Sequence, residues 1–362
     1  MSVGLDDVVA AETSLSSVDG ARGVLIVRGL SLAELAGYKS FEDLSYLLFE
    51  GQFADLPRRG DFAAALGAAR VGAFTLTRYI DASIAALAPM DAVRALVARM
   101  EDGEDFATAI ALLAAPAVVL PAVLRVRQGL SPVAPDPTVS QAGDMLRMLD
   151  DRAPTPEATR ALDTYLVTVA DHGLNASTFA ARVVASTWAG LTSSVLAGLS
   201  ALKGPLHGGA PGPVIAMLDG IGAPDNARAW IEQALDRGDR LMGFGHRIYK
   251  VRDPRADALK TAVKRLGAGS NTLPGRLALA DAVERAALDI LHRRKPDHPL
   301  DVNVEFYTAL LLEALSFPPE AFTAVFAAGR TAGWLAHARE QRLTGRLIRP
   351  QSRYVGPHAT AA

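Results

Sequence analysis

Apolar residues recur along this chain mostly at helical rather than strand spacing. The run Leu44 to Phe49 follows Ser40-Phe41-Glu42-Asp43, a serine cap with acids in the first turn, and Gly51 stops it. Thr155-Pro156-Glu157 places a cap and a first-turn proline before a helix over 158–170. Asp253-Pro254 does the same for a helix through Lys264, closed by Gly267. Ser316-Phe317-Pro318-Pro319-Glu320 opens another that runs to about Gln341. The best period-2 run is Gly23 to Gly29, which predicts a short N-terminal ribbon. Strands do not alternate with helices, so a doubly wound α/β fold is not expected.

Two stretches, Phe106 to Leu124 and Val183 to Leu202, run about twenty residues without a charge, the length of a membrane span. The first contains Pro116 and Pro121, and the second is rich in weakly hydrophobic Ala, Gly, Ser and Thr. Both therefore read as helices surrounded by protein, and as candidates for a helix-packed dimer interface. The Pro- and Asp-rich segment 131–157 reads as an exposed connection. From about 209 to 316 the chain is more charged and more broken by Gly and Pro, after which an apolar helix returns. This pattern predicts a large domain (1–208 and 317–362) carrying an inserted smaller one (209–316).

Composition narrows the chemistry. The 362 residues are 50% hydrophobic and 21% charged, with a formal net charge of −2. That is a globular balance without the positive field expected of non-specific nucleic-acid binding. Cysteine is absent, which excludes disulfides, thiolate metal sites and cysteine nucleophiles. The seven histidines show no metal-ligand spacing, so no metal site is expected. The N-terminus lacks a basic region followed by an apolar stretch, and a cytoplasmic protein away from membranes is expected.

Three stretches crowd glycine, histidine and charge together: Lys203 to Ala210, Leu241 to Ala256, and Asp301 to Tyr307. Glycines beside a histidine remove bulk where a ligand or another backbone comes close. Gly243-Phe244-Gly245 lacks the third glycine of a dinucleotide fingerprint, and Gly208-Gly209 is not followed by Gly-Lys-Ser/Thr.

Taken together these stretches resemble the citrate synthase family. Gly204-Pro205-Leu206-His207-Gly208-Gly209-Ala210 is similar to its first histidine motif. Gly243-Phe244-Gly245-His246-Arg247-Ile248-Tyr249-Lys250 with Asp253-Pro254-Arg255-Ala256 is similar to its second, and Asn303-Val304-Glu305-Phe306-Tyr307 to its carboxylate motif. His172 with Leu174 to Arg182, Gly329 to Trp334, and Arg349 to Gly356 complete the order, so the resemblance spans nearly the whole chain. It implies an all-α, two-domain helical fold with the active site in the cleft, in the short bacterial and archaeal form.

The resemblance further implies condensation of acetyl-CoA with oxaloacetate and water to citrate and CoA. Glu305 would be the base, His207 the donor to the thioester oxygen, and His246 the partner of the oxaloacetate ketone. Arg255, Arg330 and Arg349 with His172 would bind oxaloacetate, Arg349 reaching across a homodimer whose active sites are shared. Gly243, Gly245, Arg247 and Lys250 would contact CoA, a co-substrate, and no cofactor is implied. Three departures stand out: Glu305 where the family carries Asp, Ala210-Pro211-Gly212-Pro213 where it carries Ala-Asn-Glu, and Gly173 where Glu is common. The alternatives are a 2-methylcitrate synthase using propionyl-CoA and a catalytically weak regulator that binds oxaloacetate or CoA.

Overall fold

The computed structural model describes residues 5, 8–208, 211–245, 248–249, 251–268, 273–294 and 300–357. Sixteen α-helices, three short 3-10 helices and one small antiparallel sheet account for its regular structure among those residues. The sheet holds Ser16–Asp19, Val24–Val27 and Leu30–Ser31, with Ser17 opposite Ile26 and Val27 opposite Leu30. Arg28 and Gly29 form the tight turn before the last strand, with φ of 50° and 84°. Positive φ at both turn residues matches the twist of the flanking strands. Arg28 fits there because its guanidinium donates to Leu47 O and Glu50 O, at the end of the helix Phe41–Phe49.

The sequence caps form as expected. Ser40, Thr155 and Asp253 accept from backbone N–H groups at the starts of Phe41–Phe49, Pro156–Val169 and Pro254–Gly267. The last long helix begins after a short 3-10 turn, Pro319–Ala321, and covers Phe322–Thr344. At the centre lies Phe106–Arg127, capped by Asp105 and continuous through Pro116 and Pro121. An internal proline costs about 3 kcal/mol or more, but this helix is buried on nearly every side, and that burial outweighs the two missing hydrogen bonds. It is the one helix long and apolar enough to span a membrane among the described residues, and its own chain covers it.

That covering corrects one expectation: Phe106–Arg127 is core, not a dimer interface. The other uncharged stretch is not one helix but two, Ala176–Ala185 and Leu191–Leu202. The break is imposed from a distance. Asp102 accepts from Thr192 N at 2.8 Å and Ser193 N at 3.1 Å, and Leu191 N donates to Gly103 O at 2.9 Å. Gly190 makes room, since a Cβ there would stand 2.1 Å from Asp102 Oδ1. The expected connection at 131–157 also holds a ten-residue helix, Gln141–Asp150, which buries Met145, Leu146 and Met148. Asp144 on that helix is paired with the buried Arg70 at 2.9 Å, so its acid is an interior ion partner rather than a sign of exposure.

Close approaches on Phe322–Thr344 fix the interior around it. A Cβ on Gly329 would stand 2.7 Å from Val169 Cγ2, and one on Gly333 only 2.3 Å from Ala170 O. Across the same helix Trp334 fills the space over Gly198, whose added Cβ would meet the indole at 2.6 Å. Gly333→Ala is therefore expected to cost about 1–3 kcal/mol in urea unfolding, because a backbone carbonyl must move. Gly72→Ala, in a helix with nothing within 4 Å of the new methyl, is expected to stabilise by up to about 1 kcal/mol. Equal effects at the two positions would refute this packing.

Candidate active site

Residues 243–245 and 301–303, far apart in sequence, are zipped together. Gly245 N donates to Asp301 O at 2.7 Å, Asn303 N to Gly243 O at 3.0 Å, and Asn303 Nδ2 to Gly245 O at 2.8 Å. Gly243 and Gly245 adopt φ of 84° and 83°, a conformation side chains disfavour, and a Cβ on Gly243 would strike Phe306. Asn303 Oδ1 also accepts from Glu305 N at 3.0 Å, capping the helix Val304–Ala314. Glu305 is thereby set, half-buried, in its first turn. Burial raises its carboxyl to about 7, while Arg255 pulls it down and Asp253 pushes it up. His246, Arg247 and Lys250 lie outside the described residues.

Asp253 joins the starts of two helices. Its Oδ1 accepts from Arg255 N and Nε at 3.0 Å, and its Oδ2 from Arg255 Nη2 at 2.8 Å and Val304 N at 3.1 Å. One carboxylate thus brings Arg255 and Glu305 into a single neighbourhood, with the positive ends of both helices facing it. The Arg255 guanidinium also lies 5.6 Å from the Tyr249 ring centroid. Tyr249 OH in turn lies 3.0 Å from Nε2 of the buried His172, so the second motif reaches the segment after Pro156–Val169. Gly173, beside His172, takes φ of 62°, which suits glycine at that departure from the family pattern. At the other departure, the helix Pro211–Ile221 begins at Pro211, where a missing N–H costs nothing.

Arg330 lies on Phe322–Thr344 and is 1% exposed. Its Nε donates to Val169 O at 2.6 Å, and its guanidinium carbon sits 4.8 Å from the Phe326 ring centroid. Among the described residues no carboxylate forms an ion pair with it, whereas Arg255 has Asp253. Burial lowers Arg330 to about 10; Asp171 opposes this and the Arg255 charge adds to it. A buried guanidinium without a paired carboxylate invites an anion. The buried Tyr165 feels the charges of Arg330, Arg255 and Glu305 together, so all three lie in its neighbourhood.

His207 follows the helix Leu191–Leu202, and its ring is held by Ser177. Ser177 Oγ lies 2.8 Å from Nε2, and Ser177 N donates to the same nitrogen at 3.3 Å. Trp334 Nε1 donates to Ser177 Oγ at 3.1 Å, so the closing helix supports the cradle. A backbone N–H has only a proton to give, so Nε2 must offer a lone pair and the proton sits on Nδ1. Burial, with the charge of Arg330 nearby, lowers His207 to about 4, which keeps the ring neutral. The ring is thus a fixed neutral donor.

The structure gathers His172, His207, Arg255, Glu305 and Arg330 with Gly243 and Gly245. Arg349 is not gathered: it lies exposed on the segment after Thr344, anchored nearby by Ile348 N on Ser186 Oγ. The sequence alone gives no site role to Ser177, Trp334, Tyr249 or Tyr165. Ser177, Tyr249 and Trp334 lie inside the family motifs, but only the fold shows that the first two each hold a histidine and that Trp334 braces Ser177.

A family model described as "Citrate synthase, C-terminal domain" matches residues 4–351. The citrate synthase of Acidithiobacillus ferridurans is 34% identical, over 98% of this chain and 95% of its own length. The crystal structure of citrate synthase from Pyrobaculum aerophilum superposes with a TM-score of 0.87 at 34% identity, covering 99% of this chain and 93% of that one. A ternary complex of carboxymethyl coenzyme A and oxaloacetate with citrate synthase from Thermoplasma acidophilum gives 0.86 at 28% identity, covering 99% and 97%.

Proposed function

The chain belongs to the citrate synthase family, and is an acyltransferase with its helical fold; we propose that it condenses acetyl-CoA with oxaloacetate and water to give citrate and CoA. The observation that carries this is the His207 cradle. A neutral imidazole whose Nε2 is tied to Ser177 presents Nδ1–H as a hydrogen-bond donor. Such a donor stabilises the oxygen charge that develops as a thioester is enolised. Glu305 removes the α-proton of the thioester, and the resulting carbon nucleophile adds to the ketone of oxaloacetate. His246 supplies the hydrogen bond or proton to the new alkoxide, and water then releases CoA. Arg330, Arg255 and His172 hold the oxaloacetate carboxylates, and Gly243, Gly245, Arg247 and Lys250 meet CoA.

Residues 209–316 act in this reading as the smaller domain, closing over the bound substrates to exclude water until condensation is complete. Arg349 of the partner subunit completes each site in a homodimer. Support for that comes from the exposure of Arg349 and from the exposed apolar side chains Leu343, Leu347, Tyr354 and Val355 around it.

Purified protein supplied with oxaloacetate and either acetyl-CoA or propionyl-CoA is expected to release thiol, faster with acetyl-CoA. A higher rate with propionyl-CoA makes it a 2-methylcitrate synthase, and no thiol from either refutes the enzyme reading. The pH dependence has a defined sign. Glu305 must be ionised to accept a proton, and burial holds it near 7. At limiting acyl-CoA, kcat/KM is expected to rise about tenfold per pH unit below this value and level off above it. His207, lowered to about 4, adds no limb between pH 5 and 9. A profile flat from pH 5 to 8 would remove Glu305 from the role.

A further inference from the structure

Gly329, Gly333 and His337 recur every four residues on the helix Phe322–Thr344 and share one face. The two glycines let the end of Pro156–Val169 and the loop after it press onto that face. Asp171 Oδ1 would lie only 3.2 Å from a Cβ on Gly333. One turn further on, His337 Nε2 lies 3.1 and 3.3 Å from the two Asp171 oxygens. Both residues are almost wholly buried.

The tautomer of His337 is fixed from its other side. Arg182 Nη1 lies 2.7 Å from His337 Nδ1 and can only donate, so Nδ1 carries the lone pair and Nε2–H donates to Asp171. Arg182 is itself held by Glu340 at 2.8 Å and by Gln341 Oε1 at 2.9 Å. The hydrogen bonds from His337 and Ser16 and the charge of Arg330 all favour the ionised form of the buried Asp171 carboxylate. Yet Asp171 forms no ion pair with Arg330, whose backbone anchor, Val169 O, is only two residues away.

We propose that His337 is a positioning residue that restrains Asp171, so that this carboxylate serves as counter-ion to Arg330 without occupying the guanidinium. This rests on the reading that Arg330 binds a carboxylate of oxaloacetate. In a buried site an unrestrained carboxylate beside an unpaired guanidinium collapses into a bidentate pair and blocks any incoming anion. The His337 N–H takes up the Asp171 oxygens instead, leaving the Arg330 fork open while a negative charge stays near.

His337→Met removes the donor at similar bulk. It is expected to raise KM for oxaloacetate about 10- to 100-fold with kcat within about threefold, because a competitor for ground-state binding has been released. His337→Gln, whose amide can both donate to Asp171 and accept from Arg182, is expected to stay within about threefold of wild type. Adding Asp171→Asn to His337→Met is expected to recover most of the lost affinity, since an amide cannot form the blocking pair. Asp171→Asn alone, which also covers a His337→Met that fails to fold, is expected to leave KM unchanged or lower it. The proposal is overturned by a double variant no better than His337→Met, by kcat falling while KM holds, or by a tenfold rise in KM for Asp171→Asn alone. Arg330→Ala tests the underlying reading separately: a KM unmoved in that variant refutes the role of Arg330 in binding oxaloacetate, whatever His337 does.

Discussion

Glu305→Gln is expected to lower kcat by about 10²- to 10⁴-fold, the usual contribution of a positioned general base. Glu305→Asp is expected to keep or raise activity. The glutamine retains the shape of the side chain and the backbone cap from Asn303, so the loss would report only the missing proton acceptor. The aspartate restores the residue the family usually carries. A shift of about 1 Å at a reacting group is worth on the order of 100-fold, so the direction of the Asp effect shows whether this backbone has adapted to the longer acid. The same variants give a second readout: the limb near 7 should disappear with Gln and move with Asp. Thiol release followed across pH measures both. Two variants that both match wild type would mean that another group takes the proton.

His207→Ala is expected to cost about 10²- to 10³-fold in kcat, the usual loss when one donor to a developing oxyanion is removed. KM for oxaloacetate should change little, because in the proposed reaction His207 serves the thioester and not the oxo acid. Ser177→Ala separates two parts of the cradle. The Ser177 backbone N–H, which fixes the tautomer, remains in that variant, so its loss should stay below about tenfold. If Ser177→Ala were as damaging as His207→Ala, the hydroxyl rather than the main chain would be setting the proton on Nδ1.

Much of this site could be read from the chain before any coordinates, because its strongest signals are local. A cap such as Asp253 is written two residues from the arginine it holds, and Asn303 two residues from Glu305. Glycines at 243 and 245 mark a backbone that must turn where side chains do not fit. The features that escaped are those whose cause lies elsewhere in the chain. Val183 to Leu202 reads as one uncharged helix because nothing within it announces that Asp102 will cap its second half. Segment 131–157 reads as exposed because Asp144 gives no hint that Arg70 will bury it. Ser177 resembles any serine in a helical first turn until Trp334 arrives from another helix and His207 from the turn after Leu191–Leu202. Arg349 could be expected at the site only through a second subunit, and a single chain leaves it on the surface.

The closing helix has a consequence for how the protein is made. Phe322–Thr344 supplies Arg330, the indole that braces Ser177, and the partners of Arg182, while Glu340 accepts from Ser14 at the opposite end of the sequence. A chain still emerging from the ribosome with about three hundred residues synthesised therefore holds Arg182 and Asp171 without their interior partners, and the His207 cradle without its brace. Contacts of such long sequence separation are slow to form and cannot be settled domain by domain during synthesis. The nascent polypeptide should thus remain catalytically silent and protease-sensitive until translation has passed this helix, then gain compactness in one late step, with activity following once two chains pair.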